Sequence, residues 1–287
     1  MLATQLEQWR AARAADGAPL PAPAGDEQEA VTIAVDGVEV GGAVLGYAIE
    51  PSGPRCAVLL LQTTLPHEAA DVWTALAGAL SDHARQRGAT AITTAVAPAL
   101  ASAFGRTGFQ ATMLGADRPF GPSGWAELED DGRVVVRPMD LRERRRFVED
   151  LRELMETGMA RAGVAESGSP SLESLEAQLA GLVDEPLAAD QLVLAAQIDG
   201  RLGGGLWASI VPVEGGREIH AHAFQIDPEH RGRGLGRSFL SALNVYVAPL
   251  GARGVRLRVY GFDERARRLF GVTDATVEEV HVRKTLV

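Results

Sequence analysis

Two Asp-Gly pairs, Asp36-Gly37 and Asp199-Gly200, constrain this chain more than any other feature, because each joins two β-rich runs and heads the same succession of patterns. Asp-Gly in a two-residue loop suits a tight hairpin, since both central positions need left-handed backbone. After the first pair come CAVLLLQTTL as a buried strand, HEAADVWTALAGALSDHARQRG as an amphipathic helix, ATAITTAV as a strand, PALASAFGRTG as a short helix and FQATML as a strand. After the second come EIHAHAFQID, RSFLSALNVYVAPLG, VRLRVYGF, ERARRLFG and ATVEEVHVRKTL, which read as strand, helix, strand, helix, strand. The second series is preceded by a strand pattern, GRVVVRPMD, and by two extra helical ones, DLRERRRFVEDLRELMETGMA and SPSLESLEAQLAGLV. RQRGATAITTAV before a helix ending in Phe104 parallels LGARGVRLRVY before a helix ending in Phe270. Duplication of an α/β unit of roughly 120 to 150 residues accounts for the pattern.

The expected fold class is therefore α/β, or α+β by some schemes, with two mixed-sheet domains in tandem. Residues 1–30 are expected to form a helix over 3–15, with Leu2, Leu6 and Trp9 at helical spacing, and a linker, GAPLPAPAGDEQEA. The first domain is expected over 31–127 and the second over 128–287, with the Pro, Gly and acid-rich segment 116–131 at the boundary. A chain of 287 residues is long enough for both cores. Its net charge of −10 argues against coating nucleic acid or an anionic membrane, which takes a surplus of Lys and Arg. MLATQLEQWR lacks the apolar core of a signal peptide, and no apolar run approaches the ~18 residues of a membrane span, so a cytoplasmic location is expected. Cys56 is the only cysteine, which leaves no intramolecular disulfide and no thiolate cluster for zinc, and CAVLLL reads it as a buried apolar residue.

The densest local signal is HRGRGLGRSF, residues 230–239, between a strand pattern and a helix pattern. Glycine tolerates the dihedrals that let successive N–H groups converge, and it puts no side chain in the way of a ligand. A helix starting near Arg237 would add unsatisfied N–H groups and partial positive charge. Arg231, Arg233 and Arg237 would supply the local basicity that the acidic chain lacks. No Lys-Ser/Thr pair follows the last glycine, so this is not a P-loop.

Arg231-Gly232-Arg233-Gly234-Leu235-Gly236 resembles the Q/R-x-x-G-x-G/A motif of the GNAT superfamily of N-acetyltransferases. The surrounding IDPEHRGRGLG and VRLRVYGFDERARRLF are similar to that family's strand-to-helix passage and to its next strand and helix. The resemblance covers residues 132–287 and extends weakly to 31–116, a tandem layout of the kind found in mycothiol synthase. It implies an acyl-CoA cosubstrate, with residues 231–236, Arg237 and Ser238 at the pyrophosphate and Gln225 and Ile226 along the pantetheine arm. It also places Asp263, Arg267 and Phe270 of the following helix at the cosubstrate. In the first domain the loop position reads QTTLPHEAAD, without glycine and with Glu68 and Asp71, so that domain reads as degenerate.

Strict alternation along EIHAHAFQID puts Glu218, His220, His222 and Phe224 on one face of the strand and Gln225 on the other. His220 falls where many superfamily members carry a general-base Glu, and a histidine suits a base near neutral pH. His222 and Glu218 share its face as further catalytic candidates. Two histidines at this spacing could instead share a metal ion, but no third ligand lies near in sequence, and no metal is expected. The family's usual tyrosine on the later helix is replaced by Phe270, and its Asn by Asp263, which leaves Tyr260 and Tyr246 as candidate proton donors to the thiolate. The expected activity is acyl transfer, acetyl in the first instance, from acyl-CoA to a primary amine of a small molecule by direct attack. The alternatives are a non-catalytic acyl-CoA sensor or scaffold and acylation of a protein amine. A monomer with pseudo-symmetric domains is expected, since the duplication supplies the pairing that other chains obtain by dimerising.

Overall fold

The computed structural model of the chain describes residues 27–50, 53–119, 131–163, 170–271 and 275–287. The helix expected over 3–15 and most of the boundary segment lie outside the described residues. The first series is β1 (Glu27–Val35), β2 (Val38–Glu50), β3 (Gly53–Thr63), α1 (Ala70–Gln86), β4 (Ala91–Val96), α2 (Ala101–Gly105) and β5 (Gln110–Pro119). β6 (Val134–Pro138), α3 (Leu141–Ala162) and α4 (Pro170–Gly181) follow. The second series is β7 (Gln191–Ile198), β8 (Arg201–Val213), β9 (Gly216–Ile226), α5 (Leu235–Val247), β10 (Ala252–Tyr260), α6 (Glu264–Gly271) and β11 (Thr276–Thr285). Both Asp-Gly hairpins form as expected, with φ of 52° and 79° at Asp36 and Gly37 and of 51° and 77° at Asp199 and Gly200. β1 starts at Glu27, inside the stretch expected to be linker, and Glu27 pairs with Tyr47 of β2.

The eleven strands of the described residues join one sheet in the order β1-β2-β3-β4-β11-β5-β10-β9-β8-β7-β6. The order is not that of two sheets set side by side. β11, the last strand of the second series, lies between β4 and β5 and is antiparallel to both. β5, the last strand of the first series, lies in turn between β11 and β10. Each series therefore has its final strand inserted beside the other, about a pseudo-twofold axis between β5 and β11. The parallel pairs β3–β4 and β9–β10 stand in matching places on either side.

Alternation assigns the faces. Leu194, Ala196 and Ile198 of β7 join a core with Phe239, Leu240 and Leu243 of α5, while Val193 and Ala195 turn to a core with Phe147 and Leu151 of α3 and Leu179 of α4. In the first series Trp73, Leu76, Ala77, Leu80 and Ala84 of α1 pack at helical spacing on Leu45, Cys56, Ile92 and Val282. Leu114 and Ala116, two apart on β5, pack with the α1 core and the α5 core respectively, so α1 and α5 cover one face of the sheet. α3 and α4 cover the other face over the second series. Asp140 and Glu143 start α3 with a reciprocal capping box, and Gly163 ends it in left-handed conformation. Buried Arg144 fixes α3 to the segment before β7 by donating to the carbonyls of Leu182 and Asp184, both at 2.9 Å. Among the described residues no helix is long and apolar enough to cross a membrane.

Candidate functional site

β9 and β10 run parallel from Arg217 and Ala252 as far as Ala221 and Leu257, and there they part. Beyond that point β9 stays bonded to β8 as far as Ile226, and β10 to β5 as far as Tyr260. The cause is a β-bulge. Ala221 faces Ala208 and Ala223 faces Trp207, so His222 is one residue in excess on β9. A bulge bends its strand and sharpens the local twist, which carries the end of β9 away from β10.

The bulge also corrects the faces expected from strict alternation. Phe224 does not share the histidine face: it stacks on Phe239 of α5, ring centroids 4.7 Å apart, with Ile219 and Ala221 on the same side. Ala223 turns instead to the α3 side, and alternation beyond the bulge puts Gln225 there with it, opposite to the expectation.

Past β9 the chain makes one 3-10 turn, Pro228–His230, and enters the glycine loop. Gly232 (φ 75°) and Gly234 (φ 78°) are left-handed, a conformation that costs other residues about 1–2 kcal/mol. Gly234 caps α5, and its carbonyl takes the N–H groups of Arg237 (3.0 Å) and Ser238 (3.3 Å). The N–H groups of Leu235 and Gly236 precede any intrahelical acceptor and point out of the helix start, as an anion requires. A cavity of about 420 Å³ lies on the other side of the loop, the side of Arg133, lined among others by Gly132, Arg133, Asp199, Arg233 and Leu235.

The expected loop residues divide by what they touch. Arg231, Arg233 and Arg237 are all exposed, and Arg231 donates through Nε to the carbonyl of Ile226 at 2.8 Å, tying the loop to the end of β9. Ser238 is 2% exposed, and its hydroxyl donates to Asp131 at 2.8 Å, so only its backbone faces the helix start. Asp263 caps α6, accepting from the N–H groups of Arg265 and Ala266, which occupies the carboxylate expected at the cosubstrate. Arg267 donates to the carbonyl of Gly261 at 3.1 Å. The side chain of Phe270 lies outside the described residues.

Among the catalytic candidates, His220 is 3% exposed and its Nε2 lies 3.2 Å from a carboxylate oxygen of Glu218. It sits within the paired part of β9, between Ser209 and Arg256, one step short of the parting. His222 stands at the parting. Its Nε2 is 2.7 Å from the Ser209 hydroxyl and its ring lies 4.6 Å from that of Trp207. Gln191 joins this network, donating to Ser209 and accepting from the Trp207 indole. Burial, with help from the neighbouring His220 and Arg258, pushes the His222 imidazole down to about 4, so it is neutral at physiological pH. Tyr260 ends β10 on the far side of the gap, stacked on Phe262 at 5.2 Å, and burial raises its phenol to about 12. Tyr246 packs into the α5 core instead.

Sequence reasoning missed Asp131, Arg133, Ser209 and Gln191. Arg133 donates to the carbonyl of Arg233 and to the Ser238 hydroxyl, a hundred residues away, and no local pattern signals such contacts.

The first series keeps the same scaffold. β3 and β4 pair only from Arg55–Ala91 to Ala57–Thr93, and a bulge at Leu59 follows the last pair. The side chains there are apolar, the segment from Thr64 to Ala69 has no glycine, and Asp71 at the start of α1 pairs with Arg106 at 3.6 Å.

Residues 160–271 match the model of the acetyltransferase (GNAT) family. No curated protein matches the chain in sequence. Among solved structures, it is similar to a tandem GNAT protein from the clavulanic acid biosynthesis pathway, at 13% identity over 91% of this chain and 83% of that one, TM-score 0.49. It is also similar to a GCN5-related N-acetyltransferase from Sphaerobacter thermophilus, at 16% identity over 96% of this chain and 93% of that one, TM-score 0.49. A GNAT-family acetyltransferase from Colwellia psychrerythraea matches at 12% identity over 90% of this chain and 85% of that one, TM-score 0.46. The family match spans the parted strands, the glycine loop and α5, so residues 160–271 make up a GNAT-family region, and the topology that carries it is repeated in the first series.

Proposed function

We propose that the chain transfers an acyl group, acetyl in the first instance, from acyl-CoA to the primary amine of a small molecule, using the site of the second series only. The observation that carries this reading is the continuity of the parted strand with the glycine loop. The edge of β9 from His222 to Ile226 can run beside an extended thioester arm, and it leads straight into the N–H groups at the start of α5. Gly232 to Gly236 would hold the diphosphate, with Arg233 and Arg237 supplying charge and Arg231 fixing the loop to β9.

The new N–C bond forms as the C–S bond breaks, so the protein must take a proton from the amine and stabilise the thiolate. His222 at the parting is neutral and would pass the proton on without keeping it. His220 would receive it, with Glu218 placed to make the charge-assisted hydrogen bond to the imidazolium. Tyr260, protonated at all ordinary pH values, would donate to the leaving thiolate across the gap. Backbone N–H groups at the bulge would stabilise charge developing on the thioester oxygen. Direct transfer is supported by the state of Cys56, which is buried in the first series and pushed up to about 12 by that burial, so the chain offers no reactive thiol to carry the acyl group.

The test is release of free thiol from acetyl-CoA in the presence of a panel of small amines. Amine-dependent release, reduced at least tenfold in His220→Ala, supports the reading. Saturable binding without release from any amine, peptide amines included, would favour a sensor, and release with protein amines only would change the acceptor class.

A further inference from the structure

On the reading that the glycine loop holds the cosubstrate diphosphate, we infer that Arg133, held by Asp131, is a positioning residue that presets the loop by gripping it from behind. Arg133 comes from the turn before β6, at the far edge of the sheet, and reaches the loop with both arms of its guanidinium. One Nη donates to the carbonyl of Arg233 at 3.0 Å and the other to the hydroxyl of Ser238 at 2.9 Å. Asp131 closes the ring. Its Oδ2 accepts from Arg133 Nε at 2.8 Å and from Ser238 Oγ at 2.8 Å, and its Oδ1 accepts from the Arg133 N–H at 3.1 Å.

The peptide plane gives this clasp its consequence. In a trans peptide the C=O of Arg233 and the N–H of Gly234 point in opposite directions. Anchoring the carbonyl on Arg133 therefore turns the Gly234 N–H away from Arg133, toward the open side of the loop. Ser238, in the first turn of α5, is held by the same guanidinium, so the loop and the helix start are fixed in one frame. Left to itself, a loop with two left-handed glycines has wide conformational freedom, and ordering it on binding would cost affinity. Planar Arg suits a double grip of this kind, while Lys, a point charge with no fork, can make only part of it. A β-methyl at Gly234 would come within 3.5 Å of Arg133, so the clasp lies directly against the loop backbone.

Calorimetric titration of acetyl-CoA and of S-acetylpantetheine, which lacks the diphosphate, into wild type, Arg133→Ala, Arg133→Lys and Asp131→Asn tests this role. Arg133→Ala is expected to weaken acetyl-CoA binding about tenfold or more while S-acetylpantetheine binding stays within about twofold, with Arg133→Lys and Asp131→Asn between it and wild type. Unchanged acetyl-CoA affinity in Arg133→Ala overturns the inference, and so does equal weakening of both ligands, which would mark a general loss of structure. Should Arg133→Ala fail to fold, the same two ligands in Asp131→Asn and Arg133→Lys decide by the same criteria. A wild-type chain that binds neither ligand contradicts the proposed function itself and takes the inference with it.

Discussion

The Nε2 atom of His222 lies 2.7 Å from the hydroxyl of Ser209 on the adjoining strand, at the residue that β9 carries in excess. The imidazole is held neutral there, with its pKa brought down from 6.5 to about 4 chiefly by burial. In the unfolded chain it takes up a proton near pH 6.5, and in the folded chain only near pH 4. Stability is therefore lost as pH falls between these values, by up to about 3 kcal/mol from this residue alone. Urea midpoints at pH 7 and pH 4.5 should show a pH-dependent loss in wild type that is visibly smaller in His222→Gln. An equal loss in both would assign the effect to other groups.

Gly234 is left-handed at the cap of α5, with Arg133 on the side where a Cβ would stand. Gly234→Ala should lower stability by about 1–2 kcal/mol through backbone strain alone. Gly234→Glu sets a carboxylate against the Arg133 guanidinium and would draw it off the Arg233 carbonyl, so acetyl-CoA affinity should fall about tenfold or more beyond the alanine variant. Binding at wild-type strength in Gly234→Glu would remove the loop from the account.

Gly158 sits inside α3, where glycine costs about 1 kcal/mol relative to alanine on propensity grounds. An alanine Cβ there would lie 2.5 Å from the Tyr260 ring, a contact that neither side chain can make without moving. Gly158→Ala should therefore destabilise the chain in thermal unfolding instead of stabilising it. Because Tyr260 lines the parting of β9 and β10, thiol release should slow as well. A higher melting temperature would show that α3 is free to shift.

The exchange of β5 and β11 links the two halves mechanically. Val282 of β11 is 2% exposed and packs in the core of the first series with Ile92 and Leu80. Val282→Asp should strip hydrogen-exchange protection from α1, some two hundred residues earlier in the chain, by placing an unpaired carboxylate in that core. Loosening confined to α5 and α6 would contradict the exchanged arrangement.

Local chemistry made much of this fold legible. The Asp36-Gly37 and Asp199-Gly200 turns, the helical spacing of Trp73, Leu76 and Leu80, and the repeated order of elements are short-range patterns, and the structure reproduces them. The exchange was not legible, because alternation in FQATML and ATVEEVHVRKTL specifies which residues share a face but not which strands are neighbours. The glycine loop announced itself through Gly232 and Gly234. Its supports did not, since Asp131 and Arg133 lie about a hundred residues upstream, at the end of a segment that reads as a boundary and at the start of a strand pattern. The faces of β9 were read wrongly past one point for a single reason: the excess residue at His222 shifts the alternation, so Phe224 and Gln225 change sides.

On the proposed function, one glycine loop, in the second series alone, holds the acyl donor. Isothermal titration of acetyl-CoA into the wild-type chain should show saturable binding at one site per chain, lost in Gly234→Glu. No saturable binding, or two sites per chain, or a single site that survives Gly234→Glu, would contradict it.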